Sequence, residues 1–334
     1  MSGALPGYVA RRLGQAVLVL WAAFTVTFAV LYLLPSDPVS IMLAGGQGGE
    51  QSDVDPARVA ALRAELGLDD PLPVQYAEAL WRTLHLDLGS SVQNGAPVTT
   101  LIGEALPQTA LLAAAAFALA VLLGTSVALL SAWSRSARLR ALLLALPPLG
   151  VSLPTFWVGL LLVQLLSFRF PVFPALGNAG AASLVLPAVT LAVPVSALLA
   201  QVLARSLRGA LAEPYVETAR AKGASRGRVL LRHALRNAVI PTLTVAGVVV
   251  GNLLAGAVVV ETVFSRVGVG RLTVSAVEAQ DIPVVQGLVL LASTVFVLTN
   301  LLVDLLYPVL DPRLRTAGAR PRRAAVRDLA GSAA

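Results

Sequence analysis

This sequence predicts an all-helical membrane protein that crosses the bilayer six times, and three observations carry that prediction. Apolar residues fill 57% of its 334 positions and charged residues only 13%, where an ordinary soluble domain carries about 25% charged residues. Mean hydropathy is +0.79. The apolar residues also fall into long runs free of Asp, Glu, Lys, Arg and His, each as long as the ~20 residues a helix needs to cross the hydrocarbon core. Barrel strands would be about ten residues long with alternating polarity, and these runs do neither. In lipid the backbone must satisfy its own hydrogen bonds, so helices remain.

The first run, 13–34, follows a short N-terminus (1–12) that ends in Arg11 and Arg12. It exceeds the roughly 7–15 residues of a signal-peptide apolar core. The small residues Ala44, Gly45 and Gly46 lie too far beyond it for cleavage, so it reads as an uncleaved anchor. Residues 35–104 carry ten acids and three arginines. Within them Pro56–Leu68 is amphipathic, with Asp55 placed to cap its start and Gly67 to stop it. Such a segment is either a solvated cap or a docking surface for a delivered substrate.

Runs 105–134 and 141–168 give the second and third helices. Pro147, Pro148 and Pro154 predict a kink in the third. The next run is too long for one span, and its Pro- and Gly-rich beginning from Phe170 to Gly180 reads as a loop. That leaves 183–204 as the fourth helix. The fifth is 237–260, where Gly247 and Gly251 allow a neighbouring helix to come close. A loop, 261–281, leads to the sixth helix, 282–306, and a tail, 307–334. The membrane domain as a whole takes in about residues 95–308.

Basic residues set the orientation. An even number of spans puts both termini, the 135–140 connection and the 205–236 connection on one side. That side collects nineteen Lys and Arg residues against six on the other. The positive-inside rule places the side with nineteen in the cytoplasm, so both termini are expected there, with 35–104 and 261–281 outside.

Composition also excludes function classes. With no cysteine, thiolate metal sites and cysteine nucleophiles are absent. His85 and His233 are far apart in sequence, and no Ser-His-Asp motif or pair of carboxylates within a span is present. Neither catalytic residues nor metal or cofactor ligands are predicted, and the chain is not read as an enzyme. The arginine-rich 205–236 stretch lacks the interleaved aromatics of a nucleic-acid surface, and anionic lipid headgroups explain it better. A phosphate-binding P-loop needs Gly-x4-Gly-Lys-[Ser/Thr]. The only lysine, Lys222, precedes a glycine instead of following one. If ATP drives this protein, another polypeptide must hold it.

The 205–236 connection is long for such a chain. Glu213-Pro214 is suited to start a helix, and Tyr215–Lys222 is about two turns stopped by Gly223. A second short helix is expected from Ser225, with the serine as its cap. Two helices joined at a glycine make a rigid knob suited to a groove on a soluble partner.

At these residues the chain resembles a known family. Glu217-Thr218-Ala219, three residues, then Gly223 is similar to the Glu-Ala-Ala-x3-Gly loop of bacterial ABC-importer permeases. Where the general motif has Ile, Leu and Pro further on, this chain has His233, Leu235 and Arg236. The wider string from Tyr215 to Gly223, with Arg232–Asn237 and Ile240-Pro241, resembles the peptide and nickel branch of that family. Further likeness to the first permease of dipeptide and oligopeptide systems runs through Leu33–Pro38, Leu66–Tyr76 and Asp87–Ser91. It continues in Glu261–Ser265 with Gly268 and Gly270, and in Asp304–Tyr307 with Asp311–Arg313.

The resemblance implies a type I importer permease fold in the bacterial inner membrane. It implies Tyr215, Glu217, Thr218, Ala219, Ala221, Lys222 and Gly223 as the loop that couples to an ATPase. It also implies a second similar permease, two ATPase subunits holding ATP and magnesium, and an extracytoplasmic substrate-binding protein. Di- or oligopeptides are the expected cargo, with nickel or another small solute as the alternative. Gln164, Gln201, Asn252, Thr294 and Asn300 are the polar residues within the spans. Each either lines a translocation path or hydrogen-bonds between helices. An ion-coupled carrier, the competing reading, would place acids inside its spans. Asp304, near the cytoplasmic end of the sixth helix, is the clearest such residue here, and its place at a span end favours pairing with an interfacial arginine or water.

Overall fold

The computed structural model describes residues 4–33 and 70–310, and among them the secondary structure is helical apart from one isolated bridge between Ser90 and Pro97. In order the helices are α1 (Ala4–Leu33), α2 (Leu72–Leu84), α3 (Val98–Trp133) and α4 (Ala137–Ser152). Then come α5 (Thr155–Arg169), α6 (Ala182–Leu211), α7 (Pro214–Ala221), α8 (Arg226–Val263), α9 (Val269–Glu278) and α10 (Ile282–Leu310). The amphipathic stretch Pro56–Leu68 and the tail beyond 310 lie outside the described residues.

Five of these helices, α1, α3, α6, α8 and α10, are long and apolar enough to cross a membrane alone. The third expected span, 141–168, is not one kinked helix: α4 and α5 meet at a bend of 102°. Counted as one broken span, the pair brings the total to six. The break sits at Leu153-Pro154, where Leu153 is extended (φ −80°, ψ 127°). A proline disfavours helical backbone at the residue before it. Pro147 and Pro148, also expected to kink the chain, lie inside α4 without breaking it.

The helices overshoot their apolar runs. The second begins at Val98, ahead of 105; the fourth continues to Leu211, past 204; the fifth starts at Arg226, before 237. A helix needs no apolar residue to continue, only the absence of a stop, and the flanks here supply none. The expected second short helix from Ser225 is therefore the first turn of α8. The 261–281 loop holds a helix of its own, α9.

α6 is the centre of the bundle. Half of its apolar stretch is buried, against 11% for α1. It packs on α3, α4, α5 and α8, while α1 and α8 flank α10. One core joins Leu112 of α3, Leu186 and Leu191 of α6, and Leu253, Val260 and Phe264 along and just beyond α8. α3 and α6 come together at Gly124, where an added Cβ would sit 2.7 Å from the Ser196 carbonyl oxygen and 3.1 Å from Leu199 Cβ. Backbone cannot yield as a side chain can. Gly124→Ala is expected to cost about 1–3 kcal/mol through overpacking, read as a lower melting temperature of the purified chain in detergent. An unchanged melt would mean that the two helices can separate freely. The expected close approach at Gly251 is not found: a Cβ there would meet Phe296 at an ordinary 3.7 Å.

Candidate functional site

α7 is an eight-residue helix set between the ends of two long ones. α6 runs out at Leu211, and the extended Glu213 (φ −73°, ψ 146°) lets Pro214 open α7 at its first turn, where a proline loses no hydrogen bond. Glu217 in the first turn and Arg220 in the last both suit the helix dipole. The helix ends on Lys222 and Gly223. Gly223 N–H donates to Arg220 O (2.9 Å) and Ala224 N–H to Ala219 O (3.1 Å), the crossed pair of a Schellman ending. That ending needs left-handed backbone, and Gly223 has φ +83°.

The seven residues singled out in the sequence divide between two faces. Tyr215 and Ala219 are half-buried and one turn apart, whereas Glu217, Thr218, Ala221, Lys222 and Gly223 are exposed. The Tyr215 hydroxyl accepts from Asn237 Nδ2 of α8 at 3.2 Å. Thr218 turns its hydroxyl back to Pro214 O. Val216 was not picked out by the sequence reading, yet at 1% exposure it is the most buried residue of α7. Its signal was available: it is the one branched aliphatic residue in a two-turn helix.

The base beneath α7 is closely packed. α7 packs on a wide, π-type turn of α8 at Val229–Ala234. Below lie Ala128 of α3, Leu203 and Leu207 of α6, and Leu230, Ala234 and Ala238 of α8 in one apolar cluster. Arg226 donates to Ala132 O (3.2 Å) and Ser134 O (3.5 Å) at the C-terminal end of α3, where a cation suits the helix dipole. Gly227 lies against the Trp133 ring. A push on α7 therefore bears on α3, α6 and α8 together.

Two polar clusters hold the opposite end of the bundle, and the sequence reading assigned neither a role. Glu261, 1% exposed, accepts from Thr109 (2.6 Å) on one oxygen and from Gly270 N–H (2.7 Å) and Arg271 N–H (3.3 Å) on the other. Thr109 in turn accepts from Val269 N–H at 2.8 Å. A Cβ on Gly268 would run into the Glu261 carboxylate, and one on Gly270 would meet the Val258 backbone. Arg266, 2% exposed, donates to Gly177 O and to Ser183. Burial lowers its pKa from the ordinary arginine value, against an opposing pull from the Glu261 charge. In the second cluster Ser91 donates to Asp281, the residue just before α10, at 2.5 Å. The sequence shows for the first only an acid at the end of a span with two glycines soon after, which does not announce Thr109 as its partner.

The five polar span residues do not converge. Asn252 lines a cavity of about 410 Å³ bounded by α1, α3, α8, α9 and α10, with Thr109 and Gly270 on its wall. Asn300 lines another of about 520 Å³ between α1 and α10, beside Arg12 and Gln15. Gln164 is exposed where the π-type end of α5 begins, and Gln201 and Thr294 are half-buried on α6 and α10.

Two family models match this chain. The binding-protein-dependent transport system inner membrane component matches residues 120–316, and the corresponding N-terminal family matches residues 6–113. The chain belongs to this family. Among its relatives, a putative peptide transport system permease protein of Brucella abortus is 38% identical, over 92% of this chain and 98% of the relative. The dipeptide transport system permease protein DppB of Escherichia coli is 37% identical with the same coverage. A probable peptide ABC transporter permease protein of Sinorhizobium fredii is 38% identical over 92% of this chain and 99% of its own length. As a member of the binding-protein-dependent transport family, the chain is a multi-pass inner-membrane component of an ABC importer.

Proposed function

We propose that the chain is a permease subunit that passes di- or oligopeptides across the bacterial cytoplasmic membrane. The single observation that carries this is α7, an exposed charged helix seated on the π-type turn of α8, whose inner side packs on α3 and α6 at one end of the bundle. It is the kind of surface a soluble motor can grip. The peptide cargo is inferred from relatives at 37–38% identity that are named for peptides and dipeptides.

In this reading the chain is non-catalytic, and ATP and magnesium are held by two ATPase subunits that dock on α7. Glu217, Thr218, Ala221 and Lys222 face the ATPase. Tyr215 and Ala219 face the spans, and Gly223 fixes the end of the helix. Both termini lie on the α7 side, in the cytoplasm, where the basic residues concentrate. A substrate-binding protein docks at the other end. A second similar permease completes the path, with Asn252 facing it from the cavity beside α8. Gln164, Gln201, Thr294 and Asn300 reach that path only where the two permeases meet.

The test is uptake of labelled di- and oligopeptides into proteoliposomes holding this chain and the products of its neighbouring genes, with and without ATP. ATP-dependent uptake that vanishes without the ATPase is the expected result. Uptake by this chain alone, following an ion gradient, would make it a secondary carrier. ATP-stimulated movement of nickel or another small solute instead of peptide would keep the machine and change its cargo.

A further inference from the structure

α2 has three faces where a surface helix ordinarily has two. Gln75, Tyr76, Ala79, Leu80 and Thr83 are half-buried on one side. Val74, Ala77, Trp81 and Leu84 are exposed at positions i, i+3, i+7 and i+10, which is one helical stripe. Glu78, Arg82 and His85, also exposed, form a third stripe at i, i+4 and i+7. At 100° per residue the order around the axis is packed, apolar, polar. The apolar stripe is well exposed, with Trp81 at 66% and Leu84 at 69%. A helix in water has no reason to keep that stripe apolar.

The depth of α2 says what meets it. Tyr76 packs against Phe24 (tilted) and Phe28 (edge-on) of α1, with centroids 5.6 and 5.3 Å away, and its hydroxyl is 2.8 Å from Thr25 Oγ1. The charge-free run of α1 continues to Leu34, so the Tyr76 ring reaches about 13–14 Å back along that span. The other half of α2 marks its level: Ala79, Arg82 and Thr83 share one cleft with Ile282, Pro283, Gln286 and Gly287, the first two turns of α10. α2 is thereby held beside the outer turns of a membrane span, at the end opposite α7. Interfacial helices bury their apolar face about 5–10 Å into the headgroup and acyl boundary, and tryptophan favours that level.

We infer that α2 lies in the lipid interface at the end of the bundle opposite α7, with Val74, Ala77, Trp81 and Leu84 among the acyl chains and Glu78, Arg82 and His85 in water. This placement holds for any solute the transporter carries. It also has a mechanical consequence. The turn after α2 carries Ser91, which bonds Asp281 at the start of α10. A membrane-seated α2 ties that turn, and through Asp281 the start of α10, to the bilayer surface.

The chain has no cysteine, which makes the test direct. Single cysteines are introduced as Ala77→Cys and Leu84→Cys on the apolar stripe, and as Glu78→Cys and Arg82→Cys on the polar one. Each full-length variant is labelled with a nitrobenzoxadiazole fluorophore and placed in nanodiscs of phosphatidylethanolamine and phosphatidylglycerol. Nitroxide-labelled phospholipid is expected to quench the labels at 77 and 84 several-fold more than those at 78 and 82, and iodide in the buffer to reverse that order. Equal quenching of all four by iodide would place the helix in water and overturn the inference. Protection of 77 and 84 from both quenchers would give the stripe to protein, either a second permease or residues 34–69, and would overturn it too.

Discussion

Glu261→Ala is expected to lower the melting temperature of the purified chain by on the order of 10 °C. The carboxylate receives three donors, the Thr109 hydroxyl and the Gly270 and Arg271 N–H groups, in a site 1% exposed. Alanine leaves all three without a partner. Each buried donor so stranded costs about 1–3 kcal/mol, and water can refill part of the space. A net loss of about 3 kcal/mol at roughly 2–4 °C per kcal/mol gives that shift. Glu261→Gln is expected to lose about half as much. Its carbonyl oxygen can still serve the two backbone N–H groups. Its amide then faces Thr109, whose hydroxyl proton is left without an acceptor. The measurement is a thermal melt in detergent of wild type and both variants. A Glu261→Ala melt within a degree of wild type would show that this cluster does not hold α3, α8 and α9 together. Gly268→Ala should resemble Glu261→Ala, because its Cβ would displace the same carboxylate.

That cluster marks where the sequence stops being readable. The spans were legible because lipid imposes one requirement on twenty consecutive residues, and a run such as 282–306 meets it visibly. α7 was legible because its start and stop, Pro214 and Gly223, act locally. Glu261 was not, since its partners Thr109 and Gly270 come from two other helices and no local pattern announces the pairing. The bend at Leu153-Pro154 was half legible: a proline says that a helix can break, but its neighbours decide. Pro147 and Pro148 lie in an unbroken helix, whereas Pro154 ends one. The path residues are a third case. Polarity within a span marks a cost without saying what meets it: Asn252 and Asn300 line separate cavities of this chain, and a path between two permeases is not written in one chain's pattern.

Gly223→Val is expected to reduce ATP-driven uptake at least tenfold while leaving the amount of protein in the membrane unchanged. Space is not the reason, since a Cβ at Gly223 would have nothing within 4 Å. Backbone is the reason: at φ +83° a side chain costs about 1–2 kcal/mol, and a β-branched one is a genuine outlier. Three other helix ends here take the same conformation without glycine, at Leu86, Ser265 and Gln280. Two of these ends lie next to the buried groups described above: Arg266 follows Ser265, and Asp281 follows Gln280. Gly223 has no such support, because it closes an eight-residue helix that is exposed on its outer face. There the strain is relieved by unwinding the last turn of α7, which carries Ala221 and Lys222. Asparagine adopts left-handed backbone more readily than other residues do, so the expected order of uptake is Gly, Asn, Ala, Val. The measurement is peptide uptake in proteoliposomes for the four chains, normalised to inserted protein. An order that follows side-chain size, with Ala above Asn, would mean that the partner's groove reads the surface at 223 and that the helix ending is incidental. Equal uptake in all four would remove α7 from the coupling role.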